Sequence, residues 1–348
     1  MLIGFAAAYR DGGWLEAPLF ELADEPESEA ARLRPFAGRA TPDVALPASL
    51  IPRLTDHHVH LGLADAGRLF AGGITHVTDL GWEPSAAHEW TALAAPHVSI
   101  AGALLSCVGG YPLNAGWGPA GSTVEIAAAD DADTAVAAQQ EAGASVIKVT
   151  LNSDAGPVPN DALLDRIASA AHARGLPVYA HAQGSGQAAR AFAAGIDVLA
   201  HAPFSERLPD ALLTAMAARG TTWVSTLQIH GWGTPTREFG VASDNVRRFS
   251  GCGGVVLYGT DLGNGDLPIG VNADELASLA DVGVDPMAAI ARGDAPGQPT
   301  PAHDGGTGRH VALVAGAPPI DPADLPGWLA GAQGRTVDSV VAEATSAL

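Results

Sequence analysis

Lysine is almost missing from this chain: of 18 basic side chains in 348 residues, a single one, Lys148, is lysine. Cysteine is nearly as scarce, and Cys107 and Cys252 do not make a disulfide framework. Positive charge is short overall. Eighteen basic against 38 acidic residues give a formal charge of −20, which argues against a nucleic-acid partner, because affinity for phosphate backbones comes from Lys and Arg. No apolar run approaches the roughly 20 residues that span a bilayer, so no membrane partner is expected. The opening MLIGFAAAYR lacks a basic leading segment and a cleavage site; we read no secretory signal there and expect a cytoplasmic location. Charged residues make up only 16% of the chain, but 47% hydrophobic content supports a sizeable core, so the chain reads as globular and not disordered. The length fits about two domains, or one large α/β barrel.

What is present is a serial alternation. Between about residues 50 and 290, short β-branched or apolar runs alternate with Ala-rich helical stretches. The expected strands are 51–60, 74–80, 97–105, 145–151, 177–181, 197–201, 222–227 and 254–261. Helical segments are expected over 161–174, 187–194, 209–219 and 243–249, and Gly175, Gly195 and Gly220 follow three of these helices as cheap stops. About eight β-α units in series point to a (β/α)8 barrel of TIM type over 51–302. A doubly wound open sheet is the alternative, but no GxGxxG opens a helix after the first strand. The ends read differently. Strand-like pieces at 1–7 and 14–22 flank an acidic stretch, 21–29; a Pro/Gly-rich linker, 294–308, precedes a strand-like 309–315 and a helical tail. The pattern suggests that 1–50 and 303–348 meet in a small β satellite.

The first barrel strand ends in Thr55-Asp56-His57-His58-Val59-His60. Alternation puts His58 and His60 on one face and His57 on the other, so two imidazoles can reach one cation. Chance alone yields roughly 0.4 such HxH pairs in this composition, so the motif gains weight only from its company. Lys148 is expected late in the fourth strand, with the strand-exit residues; His181, His201 and Asp261 close the fifth, sixth and eighth. Strand exits of a barrel form its active-site rim. A lone strand-end His is usually a hydrogen-bonded rim residue and a lone Asp a helix cap, but those readings would have to hold together for all six residues and for the sole lysine. Arg can replace Lys as a surface cation but not where a neutral amine must act.

DxHxH on strand one, followed by Lys, His, His and Asp on strands four, five, six and eight, resembles the amidohydrolase superfamily of binuclear-metal type, closest to its prolidase and imidazolonepropionase-like branch. The likeness spans about residues 45–290 and includes 51–56, 180–184 and 194–201. It implies a barrel joined to a small, reduced β-sandwich built from both chain ends. It implies that His58, His60 and Asp261 bind one divalent ion, that His181 and His201 bind a second, and that Lys148, carboxylated by CO2, bridges them. Zn2+ suits these donors, as do Mn2+, Fe2+ and Co2+. The implied activity is hydrolysis of a C–N bond, in an amide, peptide-like or cyclic-amide substrate, by a hydroxide held between the ions, with Asp261 as proton carrier. The residual local charge of about +1 favours a carboxylate-bearing substrate. His230, Tyr111 and Trp117, on the loops after strands seven and three, are the expected substrate contacts, and these apolar walls suit a hydrophobic molecule.

Lactone or ester hydrolysis on the same site is an alternative, since the same nucleophile attacks either carbonyl. A Schiff-base lyase using Lys148 is another, but it leaves four histidines idle. A mononuclear deaminase would need Glu where Gly184 stands, and a non-catalytic binding protein would have no use for six ligand-type residues. The expected partner is a small-molecule substrate, and the sequence is compatible with a homo-oligomer.

Overall fold

The structure, a computed structural model, describes residues 1–23, 32–113, 115–293 and 309–348. The linker expected at 294–308, the proposed boundary at 302/303 and most of the acidic stretch lie outside these residues. Both chain ends enter one seven-stranded sheet. From the N-terminal side come β1 (Leu2–Arg10), β2 (Gly13–Glu16), β3 (Leu19–Ala23), β4 (Arg32–Pro35) and β5 (Val44–Ile51). Ten short strands follow: β6 (Thr55–Val59), β7 (His76–Asp79), β8 (His97–Ile100), β9 (Leu104–Cys107), β10 (Thr123–Ile126), β11 (Ile147–Asn152), β12 (Val178–Gln183), β13 (Val198–Leu199), β14 (Thr222–Val224) and β15 (Val255–Leu257). The C-terminal part adds β16 (His310–Ala315) and β17 (Gln333–Thr336) to the first sheet, in the order β17-β16-β5-β1-β3-β4 with β2 paired to β1. Ile3, Phe5, Phe20 and Leu50 pack there against Val337 and Val340 of the terminal helix Val337–Ser346. The meeting of the two ends thus takes the form of a continuous sheet with its own buried cluster.

The ten middle strands pair only in parallel, as a three-stranded sheet β6-β7-β8 and a seven-stranded sheet β10-β9-β11-β12-β13-β14-β15. Backbone hydrogen bonds connect the two sheets in two places, at the β6 and β15 edges and between the end of β8 and the residues leading into β11. On one side His57 N donates to Tyr258 O (3.1 Å), Asp261 N to His58 O (2.8 Å) and His60 N to Leu262 O (2.9 Å); on the other, Ser145 N donates to Ile100 O (3.0 Å). Leu80, Ala101, Val146, Tyr179, Val198, Ala200, Val224 and Leu257, drawn from successive strands or the residues beside them, form a separate buried cluster. The molecule is a mixed α/β protein whose parallel strands are joined by helices.

The helices expected from the Ala-rich stretches are present as Asp161–His172, Gln187–Ala193, Asp210–Arg219 and Arg237–Gly251. Gly175, Gly195 and Gly220 all adopt positive φ, at 72°, 82° and 82°, where a side chain would be strained. Two expected strands are each divided. The 51–60 run breaks after Ile51, because Pro52 has no N–H to extend the ladder. The 97–105 run breaks at Ala101–Ala103, where Gly102 turns at φ 68° and Ala103 N donates to Gln139 Oε1 (2.8 Å) instead of to a strand.

Candidate active site

His58, His60, Lys148, His181, His201 and Asp261 all line one cavity of about 370 Å³, together with Tyr111, Trp117 and His230. Their positions follow from the strands. His58 ends in β6 and His60 lies just past it; His201 and Asp261 lie beyond the ends of β13 and β15, and His181 is in β12. Lys148 differs from expectation. It is the second residue of β11 and pairs with Tyr179, whereas Thr150 pairs with His181. Its amine therefore starts one inward-facing layer below His181, and only a long unbranched stem brings it to the cavity. The side chain is 2% exposed.

The eighth strand approaches β6 closely. A Cβ on Gly259 would run into Val224 Cγ1 and come within 3.1 Å of His58 N, so glycine is needed there. Asp56 fastens the same corner: its carboxylate accepts from His58 N (3.1 Å), Thr260 N (3.0 Å) and Thr260 Oγ1 (2.6 Å). Asp261 then sits at φ 56°, in the left-handed region that non-glycine residues rarely occupy. Its Oδ2 accepts from Asn264 Nδ2 (2.9 Å), which leaves Oδ1 toward the imidazoles, 3.1 Å from His58 Nε2 and 3.3 Å from His60 Nε2.

The imidazoles are oriented by their far nitrogens. His58 Nδ1 donates to Ala200 O (2.7 Å) and His60 Nδ1 to Gly81 O (3.1 Å). Because a carbonyl only accepts, both rings carry a proton on Nδ1, and His58, kept neutral by burial, presents a bare Nε2. His201 Nδ1 pairs with Thr226 Oγ1 (2.9 Å), and Thr226 is itself held at φ 42°. His181 is turned the other way: its Nε2 lies 3.2 Å from Gln183 Oε1, an oxygen that also accepts from Asn152 Nδ2 (2.9 Å), so Nδ1 is its free nitrogen. The rings form a chain, with centroids 5.3 Å apart for His58–His60, 4.6 Å for His58–His201 and 4.8 Å for His181–His201.

Whether these residues fit a metal is tested by their unused atoms. His58 Nε2 and Asp261 Oδ1 are buried and lack a hydrogen-bond partner although they lie close together. Two such atoms converging on one point is costly unless something occupies that point. Ligand atoms of His58, His201 and Asp261 lie within 4.8 Å of one another. Burial holds His58 and His201 well below the usual imidazole range and His181 down at about 4; these rings are neutral at neutral pH, the form that binds metal. Burial also pushes Lys148 down to about 7, against the pull of the Asp261 and Asp79 carboxylates. The donor set and its protonation states fit divalent ions.

The substrate-side residues also reach the cavity. Tyr111 stacks on His181 at 5.1 Å, Trp117 lies 4.9 Å from His60, and Phe204 covers His230 at 4.3 Å. His230 Nε2 is buried and unpartnered. Five residues that shape the site were not singled out from sequence: Asp56, Asp79, Gln183, Thr226 and Asn264. Asp79 accepts from Leu61 N (2.7 Å) and Gly81 N (3.1 Å), fixing the turn that carries the carbonyl partner of His60. The DxHxH spacing carried a signal for Asp56 and the strand-end position one for Asp79; Gln183, Thr226 and Asn264 gave none, because their partners are remote in sequence or defined only by a turn.

No protein-family model and no curated protein matches the chain. Solved structures do. The chain is similar to ochratoxinase of A. niger (TM-score 0.74, 18% identity, 95% of this chain and 93% of that one). It is also similar to a Xaa-Pro dipeptidase with methionine bound in its active site (0.68, 19%, 93% and 96%) and to a protein described as an amidohydrolase (0.67, 19%, 95% and 95%). The near-complete overlap in both directions shows that the chain shares the fold of these structures.

Proposed function

We propose that this protein is a metal-dependent hydrolase of C–N bonds in amides, peptide-like compounds or cyclic amides. The observation that carries this reading is the convergence of four imidazoles, one carboxylate and the sole lysine on one cavity, with His58 Nε2 and Asp261 Oδ1 buried and unpartnered there. In the same reading the two parallel sheets are one closed (β/α)8 barrel; the hydrogen bonds that connect the sheets in two places and the interior cluster support this. The names of the similar structures, a dipeptidase and an amidohydrolase among them, agree with the chemistry.

His58, His60 and Asp261 would hold one divalent ion, Zn2+ being well suited, and His181 and His201 a second. Lys148, as its carbamate, would offer one oxygen to each; an amine pushed down to about 7 has the neutral form that reacts with CO2. When bound, such ions acidify water and polarise a carbonyl. The chain supplies the rest. Asp261 Oδ1 accepts a proton and returns it to the departing nitrogen, while Asn264 holds its other oxygen in place. His230 Nε2 donates to the substrate carbonyl oxygen, and Tyr111 and Trp117 pack against the groups flanking the scissile bond. Protein loaded with Zn2+ in bicarbonate should bind about two ions per chain and cleave members of an amide panel, whereas Lys148→Arg should lose both properties. Full metal content and activity in Lys148→Arg would overturn the bridging role.

A further inference from the structure

We propose that the cavity takes an uncharged, largely apolar amide, carbamate or urea and discriminates against molecules with a free carboxylate. This rests on the hydrolase reading above and narrows it. The first support is an inventory of charge. Lys148 is the only cationic side chain lining the cavity among the described residues, and it belongs to the metal set. Arg207, on the loop that follows β13, and Arg237, at the start of the helix after β14, do not line it; they face Asp244 (3.1 Å) and Glu238 (3.8 Å). The segments 24–31, 114 and 294–308 contain no Lys or Arg. Acidic side chains stand on the surrounding loops instead: Asp154 after β11, Glu206 after β13 and Asp266 after β15. This reverses the expectation from sequence that a residual charge of about +1 favours a carboxylate: that charge would lie at the scissile carbonyl, and no cationic side chain besides Lys148 lines the rest of the cavity among the described residues.

The second support is the wall. Leu63, Leu104, Trp117, Phe204, Ile229 and Trp232 line the cavity. Leu63 (45% exposed) and Trp232 (51%) carry the apolar surface out to the mouth. Single exposed apolar residues mean little, but two that also line the cavity mark a mouth that sheds water onto a ligand. His230 adds a single polar contact. Its buried Nε2 is unpartnered, and burial pushes the ring down to about 4, so at neutral pH it offers a neutral hydrogen bond and no charge. A carboxylate placed among these groups would be desolvated without a partner, which is costly, whereas an aryl or alkyl group would be buried favourably.

The test is a matched pair that differs by one carboxylate: N-benzoylpyrrolidine and N-benzoylproline. Binding is read by quenching of tryptophan fluorescence, since Trp117 and Trp232 line the cavity, and turnover is read on the same pair with Zn2+-loaded protein. The neutral ligand should bind at least tenfold more tightly. Equal or tighter binding of N-benzoylproline, or no binding of either, would overturn the proposal. Preferential binding of the neutral member with no turnover of either would support this proposal and overturn the hydrolase reading. Turnover that favours N-benzoylproline would do the reverse. Leu63→Arg, at the exposed mouth, should move the preference toward N-benzoylproline about tenfold; an unchanged ratio would count against the proposal.

Discussion

Lys148 and Asp261 answer different demands with unusual conformations or placements. Lys148 rises from a deeper layer of β11 than a histidine could use, and Asp261 accepts a left-handed backbone so that one oxygen meets Asn264 and the other the imidazoles. Asp261→Asn should keep the fold, because Asn can still accept from Asn264, but lower kcat by about 10²–10⁴-fold, the range that a positioned acid–base group supplies. A loss below tenfold, with circular dichroism unchanged, would remove Asp261 from proton transfer. The six cavity-lining positions proposed to hold metal were readable in the sequence because each is a polar residue in or just past an apolar run, and the lone lysine stood out by composition. Thr226 and Asn264 were not readable. A threonine in a loop and an asparagine three residues past an aspartate look ordinary until the turn brings them to His201 and Asp261.

The loops bearing site residues are tied down by a helix of the next β-α unit along the chain. Glu275, on helix Ala273–Asp281, accepts from Leu227 N (2.9 Å) and Gln228 N (2.8 Å), and so holds the turn that presents His230. Asn245, on helix Arg237–Gly251, accepts from Leu208 N (3.0 Å) and donates to Pro203 O (2.9 Å) and Glu206 O (2.8 Å), fixing the loop of Phe204. Glu275→Ala leaves two buried N–H groups without acceptors, at about 1–3 kcal/mol each. Calorimetry should record a Tm lower by several degrees; an unchanged Tm would show that the turn holds itself. Sequence periodicity located Asp161–His172, Gln187–Ala193 and Asp210–Arg219 to within a few residues; Arg237–Gly251 begins six residues before the expected 243, capped by Thr236 at Phe239 N, and Ala273–Asp281 was not among the expected helices. The strands were harder. β13 has only two paired residues, and β10, β4 and β17 lack a strong apolar alternation, because neighbouring strands and not local pattern define them.

Buried neutral histidines distinguish the chain as a unit. Burial holds His57 at about 3, His181 and His230 at about 4, and His58, His76, His201 and His310 below the ordinary imidazole value. The unfolded chain takes up protons on these seven groups near pH 6.5 and the native chain does not, so they withdraw stability as pH falls toward about 4. Asp56 and Glu275, raised by burial to about 7, act in the opposite sense: the native state keeps protons there that the unfolded state releases above about 4. Asp79, raised by burial, and His60, raised by the Asp261 carboxylate against its own burial, add to that side. Asp261, held well below the usual carboxylate range by the imidazoles around it, joins the seven histidines; eight groups against four leave a net loss, and the urea midpoint of metal-free protein should fall between pH 6.5 and 4.5. A midpoint that holds or rises would mean that the histidines are not buried in neutral form.

That both chain ends build one sheet was visible only as strand-like pieces at the termini; that β16 is the strand that pairs with β5 is a long-range choice with no local code. The metal assignment is best decided by anomalous diffraction from crystals grown with Zn2+ and bicarbonate. Two peaks are expected about 3.5–4 Å apart, one beside His58, His60 and Asp261 and one beside His181 and His201, with density extending from Lys148 Nζ to both. An unmodified amine and no anomalous peak in the cavity would contradict the account.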